Sequence, residues 1–243
     1  AALDFYSRLP GDNRKDIATS LHNLALSKDW QGQLAAADSL YRESLRIQRE
    51  VYGKNNDRIA LTIGNLGFVA ESRGDFAEAE QLFRESLVIR RSLLSDTHTD
   101  VVANKIKLGL FLIDHGARYA EAEQLCREAL GALLSHNPNL TRLLARAYLG
   151  IGRATAKQGK LREGEQALRK SVAYFSGALP LNPTSIADAE LSLAENLISQ
   201  RRFREAKTQL LQTQALLKNA SADSSSEMLK TNELLVSLYQ PRK

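Results

Sequence analysis

A leucine or isoleucine followed by a small residue returns along this chain at almost constant intervals. Leu24-Ala25, Leu66-Gly67, Leu108-Gly109, Ile151-Gly152 and Leu193-Ala194 stand 42, 42, 43 and 42 residues apart. A second marker, Ala37, Ala79, Ala122, Gly164 and Ala206, keeps the same register at steps of 42, 43, 42 and 42. The lone extra residue is accounted for by Ala117, in the turn Gly116-Ala117-Arg118-Tyr119. Two independent markers in one register point to a repeat architecture, in which each period is a unit that cannot bury its apolar face alone and must stack on its neighbours.

The stretch from Asp57 to Asp100 shows the unit most plainly. A helix carrying the small residues Ala60 and Gly67 ends at Gly74-Asp75, and a second helix places Ala79, Phe83, Ser86 and Leu87 on one face. Small residues let the two backbones approach where the helices cross, and Tyr41, Phe83 and Leu168 fill the flanking space. β-Branched runs with period-two alternation do not appear, so the pattern is all-α.

Asn23-Leu24-Ala25 with Gly32, Asn65-Leu66-Gly67 with Gly74 to Glu80, and Tyr119 to Glu123 carry a closer likeness. The register, with N-L-A/G, Q/R-G-x-aromatic-x-E-A-E and L-F/Y-R-E-S-L, resembles tetratricopeptide repeats of the kinesin-light-chain-like type. The resemblance implies a right-handed α-solenoid of about five helix-turn-helix repeats, at about 15–56, 57–99, 100–137, 138–182 and 183–220. Residues 1–14 read as the end of a preceding repeat, hence a fragment of a longer polypeptide, and 221–243 as a polar loop and a capping helix. The fourth and fifth copies depart from the pattern: Gly150 and Ser192 replace the asparagine, and Arg201 replaces the turn glycine. Asn137-Pro138 and Asn182-Pro183 both suit a helix cap followed by proline in the first turn.

With 43% hydrophobic and 25% charged residues over 243 positions, the chain can build a substantial core. A net charge of +5 and a pI near 9.3 permit an acidic partner, but lysine and arginine are spread over nearly all helices beside glutamate. No Arg/Gly tract or aromatic platform suggests nucleic acid. The single cysteine, Cys126, stands where other copies have Tyr41 and Phe83, which predicts a buried apolar thiol. With no apolar run near about 18 residues, no membrane contact is expected. A reducing, cytoplasmic setting fits.

Other motifs read as packing or loops. Ser95, Asp96, His98 and Asp100 hold the letters of a hydrolase triad, yet such triads are assembled by tertiary geometry, and these lie in an inter-repeat loop. Gly150-Ile151-Gly152 lacks the preceding strand and third glycine of a dinucleotide fingerprint. His22, His98, His115 and His136 lack partners at metal spacing. Neither catalysis, cofactor nor metal is expected of this chain.

What remains is a groove. In tetratricopeptide repeats the first helices line it, and the asparagine before the Leu-small pair contacts an extended peptide backbone. By position this implies Asn23 and Asn65, with Lys107 replacing the third asparagine. Helical spacing adds Trp30, Phe68 and Glu71, and Arg146, Arg153 and Lys157 as a basic strip. Such a strip would favour a partly acidic peptide or protein surface.

Three readings stay open. The chain is a protein-interaction module without chemistry of its own. Alternatively its degenerating repeats and closing ELLVSLYQPRK, similar to the C-terminal regions of bacterial Ser/Thr protein kinases, imply a regulatory or substrate-recruiting part of such an enzyme. The third reading is a scaffold, monomeric or weakly self-associating through its terminal repeats.

Overall fold

The computed structural model describes residues 13–220 and 225–239. The expected remnant of a preceding repeat at 1–14, but for its last two residues, lies outside the described residues. So does most of the polar loop, at 221–224. Among the described residues every regular element is an α-helix: α1 (Arg14–Trp30), α2 (Leu34–Tyr52), α3 (Asp57–Arg73), α4 (Phe76–Leu93), α5 (Thr99–Asp114), α6 (Tyr119–His136), α7 (Thr141–Lys157), α8 (Leu161–Gly177), α9 (Pro183–Ser199), α10 (Phe203–Lys218) and α11 (Ser225–Tyr239). The chain forms two compact units, one through Leu108 and one from Gly109. In the first, α1 packs on α2, α3 on α4, and the first helices α1 and α3 touch. In the second, α7 packs most closely on α8, α9 packs on α10 and α6 on α7, and α7 touches α9.

Each hairpin crosses at a small residue set against a larger one. A Cβ on Gly67 would lie 2.5 Å from the Phe83 ring, one on Gly109 2.7 Å from the Cys126 sulfur, and one on Gly152 2.6 Å from Leu168. Ala25 and Tyr41 share one core, and Ala194 and Leu210 another. The serine of the second helix closes the crossing. Ser44, Ser86 and Ser171 donate to the carbonyls of Ala18, Ala60 and Ala145 at 2.7, 2.7 and 2.9 Å, satisfying buried hydroxyls with first-helix backbone.

The turns need a left-handed residue. Gly74 takes it with φ of 84°, and its N–H and that of Asp75 bond back to Glu71 and Ala70. Ala117 (φ 48°) and Arg201 (φ 61°) hold the same region without glycine. Arg201 and Arg202 donate to Ile198 and Leu197, so the turn survives in the copy where its glycine is lost.

Asn182 caps α9 by accepting from the Ser185 N–H at 3.0 Å, with Pro183 at the helix start. Asn137 does not act this way, contrary to the sequence expectation. α7 begins only at Thr141, and Asn137 closes α6 while its carbonyl accepts from Leu140 N–H. Four residues separate the helices here, which leaves room for a separate turn with Asn first and Pro second.

Acidic residues of the second helices latch successive repeats. Glu123 accepts from Gln158 and Lys160, and Glu165 from Gln200 and Arg202. Burial works against the charge on Glu165, but these bonds, with Arg169, outweigh it and hold its pKa below the usual range. Helix α11 lays Leu234, Leu235 and Leu238 on Leu191, Ala194 and Leu210, covering the last hairpin's apolar face.

Candidate functional site

In the first unit, α1 and α3 lie side by side and offer one open face. Asn23 is exposed, Trp30 ends α1 at 81% exposure, and Leu61 and Phe68 on α3 are 44% and 38% exposed. These are unusual positions for apolar groups in a chain whose other α3 side chains, such as Ile59, Ile63 and Leu66, are buried. Lys107, on α5, sets its ammonium 3.1 Å from the centre of the Phe68 ring and 5.1 Å from that of Phe83. The two rings meet edge to face at 5.5 Å. Lysine in the third asparagine's position thus makes a cation–π contact with the second repeat's aromatic residue. Glu71, half-buried, follows Phe68 by one turn.

Asn65 is not an isolated groove amide. Its nitrogen lies 3.5 Å from His22 Nε2, and His22 Nδ1 lies 3.0 Å from the Thr62 hydroxyl, which donates to the Arg58 carbonyl. Beneath them Tyr41 packs its ring edge-on to the imidazole at 5.3 Å. The Asn23 side chain has no hydrogen-bond partner among the described residues.

The second unit holds a polar cavity of about 320 Å³. Arg153 and Lys157 from α7, Asp114 from α5, Glu195 from α9 and Lys230 from α11 bring its charges together. Arg153 pairs with Asp114, and Lys230 with Glu195 at 2.9 Å. Burial pushes the Asp114 carboxyl pKa up while Arg153 beside it pulls down. Arg146 does not line the cavity: it is half-buried, with Cys126 and Asp188 acting on its charge and burial lowering its pKa. The expected strip therefore divides. Arg146 and Arg153 already face acids of the chain, whereas Lys157 is exposed with no ion-pair partner among the described residues.

Cys126 is a free, buried thiol whose pKa burial pushes up to about 12, with Arg146 opposing. Gly150, one of its neighbours, would bring a Cβ within 2.4 Å of the sulfur. Among the described residues no cluster of three or more His, Cys, Asp or Glu is placed to hold a metal ion, and no helix is long and apolar enough to cross a membrane.

His22, Asp114, Glu195 and Lys230 belong to these sites and were not among the residues expected from sequence. The repeat register held a signal for the first. His22 and Asn65 are 43 residues apart, one period plus one, which puts them on neighbouring first helices at nearly the same height.

Comparison with known proteins agrees with this fold. Residues 16–92 match the tetratricopeptide repeat family. No curated protein sequence matches the chain. Among solved structures, a Podosopora anserina protein described as a kinesin light chain with nearly identical TPR-like repeats is 20% identical with a TM-score of 0.65, over 84% of this chain and 97% of that one. BtubC from P. vanneervenii gives 15% and 0.67, over 100% and 91%. A Rap protein complexed with competence and sporulation factor gives 13% and 0.68, over 97% and 67%.

Proposed function

We propose that this chain is a protein-interaction module that holds an extended, partly acidic peptide against its first helices, without catalysis of its own. The observation that carries the reading is the open face of α1 and α3. Amides at Asn23 and Asn65 stand beside exposed Trp30, Leu61 and Phe68, a mixture suited to a peptide's backbone and apolar side chains together. Taken by itself, the second unit offers Lys157, exposed at its cavity, to a carboxylate of an acidic peptide. The Rap protein of like fold, solved in complex with competence and sporulation factor, supports a binding role. A place behind a bacterial Ser/Thr kinase domain rests on the sequence resemblance alone, and the mass of the native polypeptide in lysate decides it.

The test is to pan a random phage-displayed peptide library at pH 7.5, synthesise the strongest histidine-free binder with a fluorescein label, and follow its anisotropy. Phe68→Ala and Asn65→Ala are each expected to weaken binding about tenfold, the loss typical of a contact at the energetic centre of an interface. Lys157→Glu is expected to weaken only peptides that carry Asp or Glu. Melting of Lys157→Glu should stay at the wild-type temperature because the side chain is exposed. Selection of no peptide, or affinities unmoved by all three changes, would overturn the reading.

A further inference from the structure

With the Asn65 amide nitrogen facing the imidazole, the hydrogen bonds around His22 fit together in one arrangement of protons. The Thr62 hydroxyl gives its single hydrogen to the Arg58 carbonyl at 3.0 Å. Toward His22 Nδ1, also at 3.0 Å, it can then only accept, so Nδ1 carries the imidazole proton. Nε2 is left as an acceptor. It faces Nδ2 of Asn65 at 3.5 Å, and an amide nitrogen can only donate. The bond is long; in this arrangement the Asn65 amide turns its nitrogen toward His22 and leaves its carbonyl oxygen for whatever lies in front of it.

We propose that His22 is a positioning residue for Asn65, setting whether the amide presents an acceptor or a donor to the bound peptide. The proposal rests on the peptide-binding reading above. When a proton adds to Nε2, both nitrogens of the imidazole donate, and the Nδ2 of Asn65 can no longer face it. A half turn of the amide restores the bond, with Oδ1 accepting from Nε2–H. The NH2 group then replaces the carbonyl as the outward atom. A peptide N–H that bonded to the carbonyl meets another donor instead.

The surroundings place this exchange on the acid side. Tyr41 from α2 lies against the ring, and Arg58 from α3 faces it. Asp29, near the end of α1, acts on the Tyr41 phenol. Burial first, and Arg58 second, hold the His22 pKa below its ordinary 6.5. The folded state therefore favours the neutral ring, a preference that is complete above 6.5 and is lost as pH falls through the folded pKa. Tyr41 has its own pKa pushed up to about 12, by burial and then by Asp29. Its buried hydroxyl has no hydrogen-bond partner among the described residues, although Asn65 is close enough to act on it. A turning Asn65 thus has a second polar neighbour within reach.

The probe is the fluorescein-labelled, histidine-free peptide selected at pH 7.5. Its dissociation constant is expected to rise as pH falls from 7.5 to 5.5, toward the limit of about tenfold, the worth of one hydrogen bond lost to the ligand, that a fully charged ring would reach. In His22→Gln the side-chain oxygen accepts from Asn65 at either pH, so affinity should match the wild type at 7.5 and persist at 5.5. In His22→Phe the acceptor is gone, and affinity should be low at both. Circular dichroism on each variant monitors folding. Independently of any ligand, the side-chain amide resonances of Asn65 in 15N spectra should move with the titration of His22 in the wild type and stay still in His22→Gln. An Asn65 amide indifferent to that titration, or an equal pH dependence in His22→Gln, overturns the proposal. Undiminished binding by Asn65→Ala overturns the ligand half of the proposal, with Phe68→Ala and Lys157→Glu then deciding the peptide-binding reading, while the spectra decide the His22–Asn65 half on their own.

Discussion

Gly67→Ala is expected to destabilise the protein in the wild-type background and to stabilise it once Phe83 has become leucine. A Cβ at position 67 would stand 2.5 and 2.7 Å from two atoms of the Phe83 ring, well inside contact distance, with only ring atoms as its nearest neighbours. Overpacking of this kind costs about 1–3 kcal/mol. It outweighs the roughly 0.5–1 kcal/mol that alanine gains over glycine inside a helix. All three nearest atoms belong to the ring, so leucine should relieve the clash and leave the helical gain, provided it packs as Leu210 does against Ala194 and not as Leu168 does, 2.6 Å from a Cβ at Gly152. The fifth hairpin already uses that combination, with Ala194 and Leu210 in one core. Urea unfolding of the four proteins in the cycle gives a coupling of about 1–3 kcal/mol if this account holds. An equal penalty for Gly67→Ala in both backgrounds would mean that the backbone, and not Phe83, sets the limit.

The same pairs show how far the sequence could be read. Leucine-small and alanine-glutamate markers located the hairpins because a helix crossing needs its small residue at a fixed height, and each copy repeats that height. Tyr41, Phe83 and Leu168 were legible as the fillers for the same reason. The electrostatics of the face were less so. Spacing along α7 puts Arg146, Arg153 and Lys157 together, but spacing along one helix is blind to charges arriving from its neighbours. Asp188 follows Arg146 by one period, and Asp114 precedes Lys157 by one, so the register held part of that information. Lys230 lies on α11, outside the register, and only the packing of Leu234, Leu235 and Leu238 brings its helix over Glu195. Asn65 teaches a related lesson. Its position marked it for ligand contact, whereas its partner His22 is an ordinary-looking neighbour of Asn23 whose role depends on how the Thr62 hydroxyl beside it shares its hydrogen. Proton bookkeeping of that kind is invisible until the atoms are placed.

Leu210→Ala is expected to have the largest effect on stability of the changes considered, and to have it locally. Leu210 is fully buried where α9, α10 and α11 meet, against Leu191, Ala194 and the three leucines of α11. Truncation removes apolar contact from two directions and leaves a cavity, at a cost of about 2–5 kcal/mol. In a repeat array each unit leans on its nearest neighbours, so the loss should appear as fraying from this end and not as a uniform weakening. Hydrogen exchange should therefore accelerate in α9, α10 and α11 while α1 to α4 keep their wild-type protection. Faster exchange throughout α1 to α4 would show instead that the array unfolds as one cooperative body. The local outcome carries a functional corollary. Lys230 reaches the cavity of Arg153, Lys157 and Glu195 only because α11 is held down by these leucines, so a variant that frays α11 should lose the cavity's wall while the face built on Asn65 and Phe68 stays intact. A peptide bound to that face would keep its affinity for Leu210→Ala, and an acidic peptide held at the second unit's cavity would not.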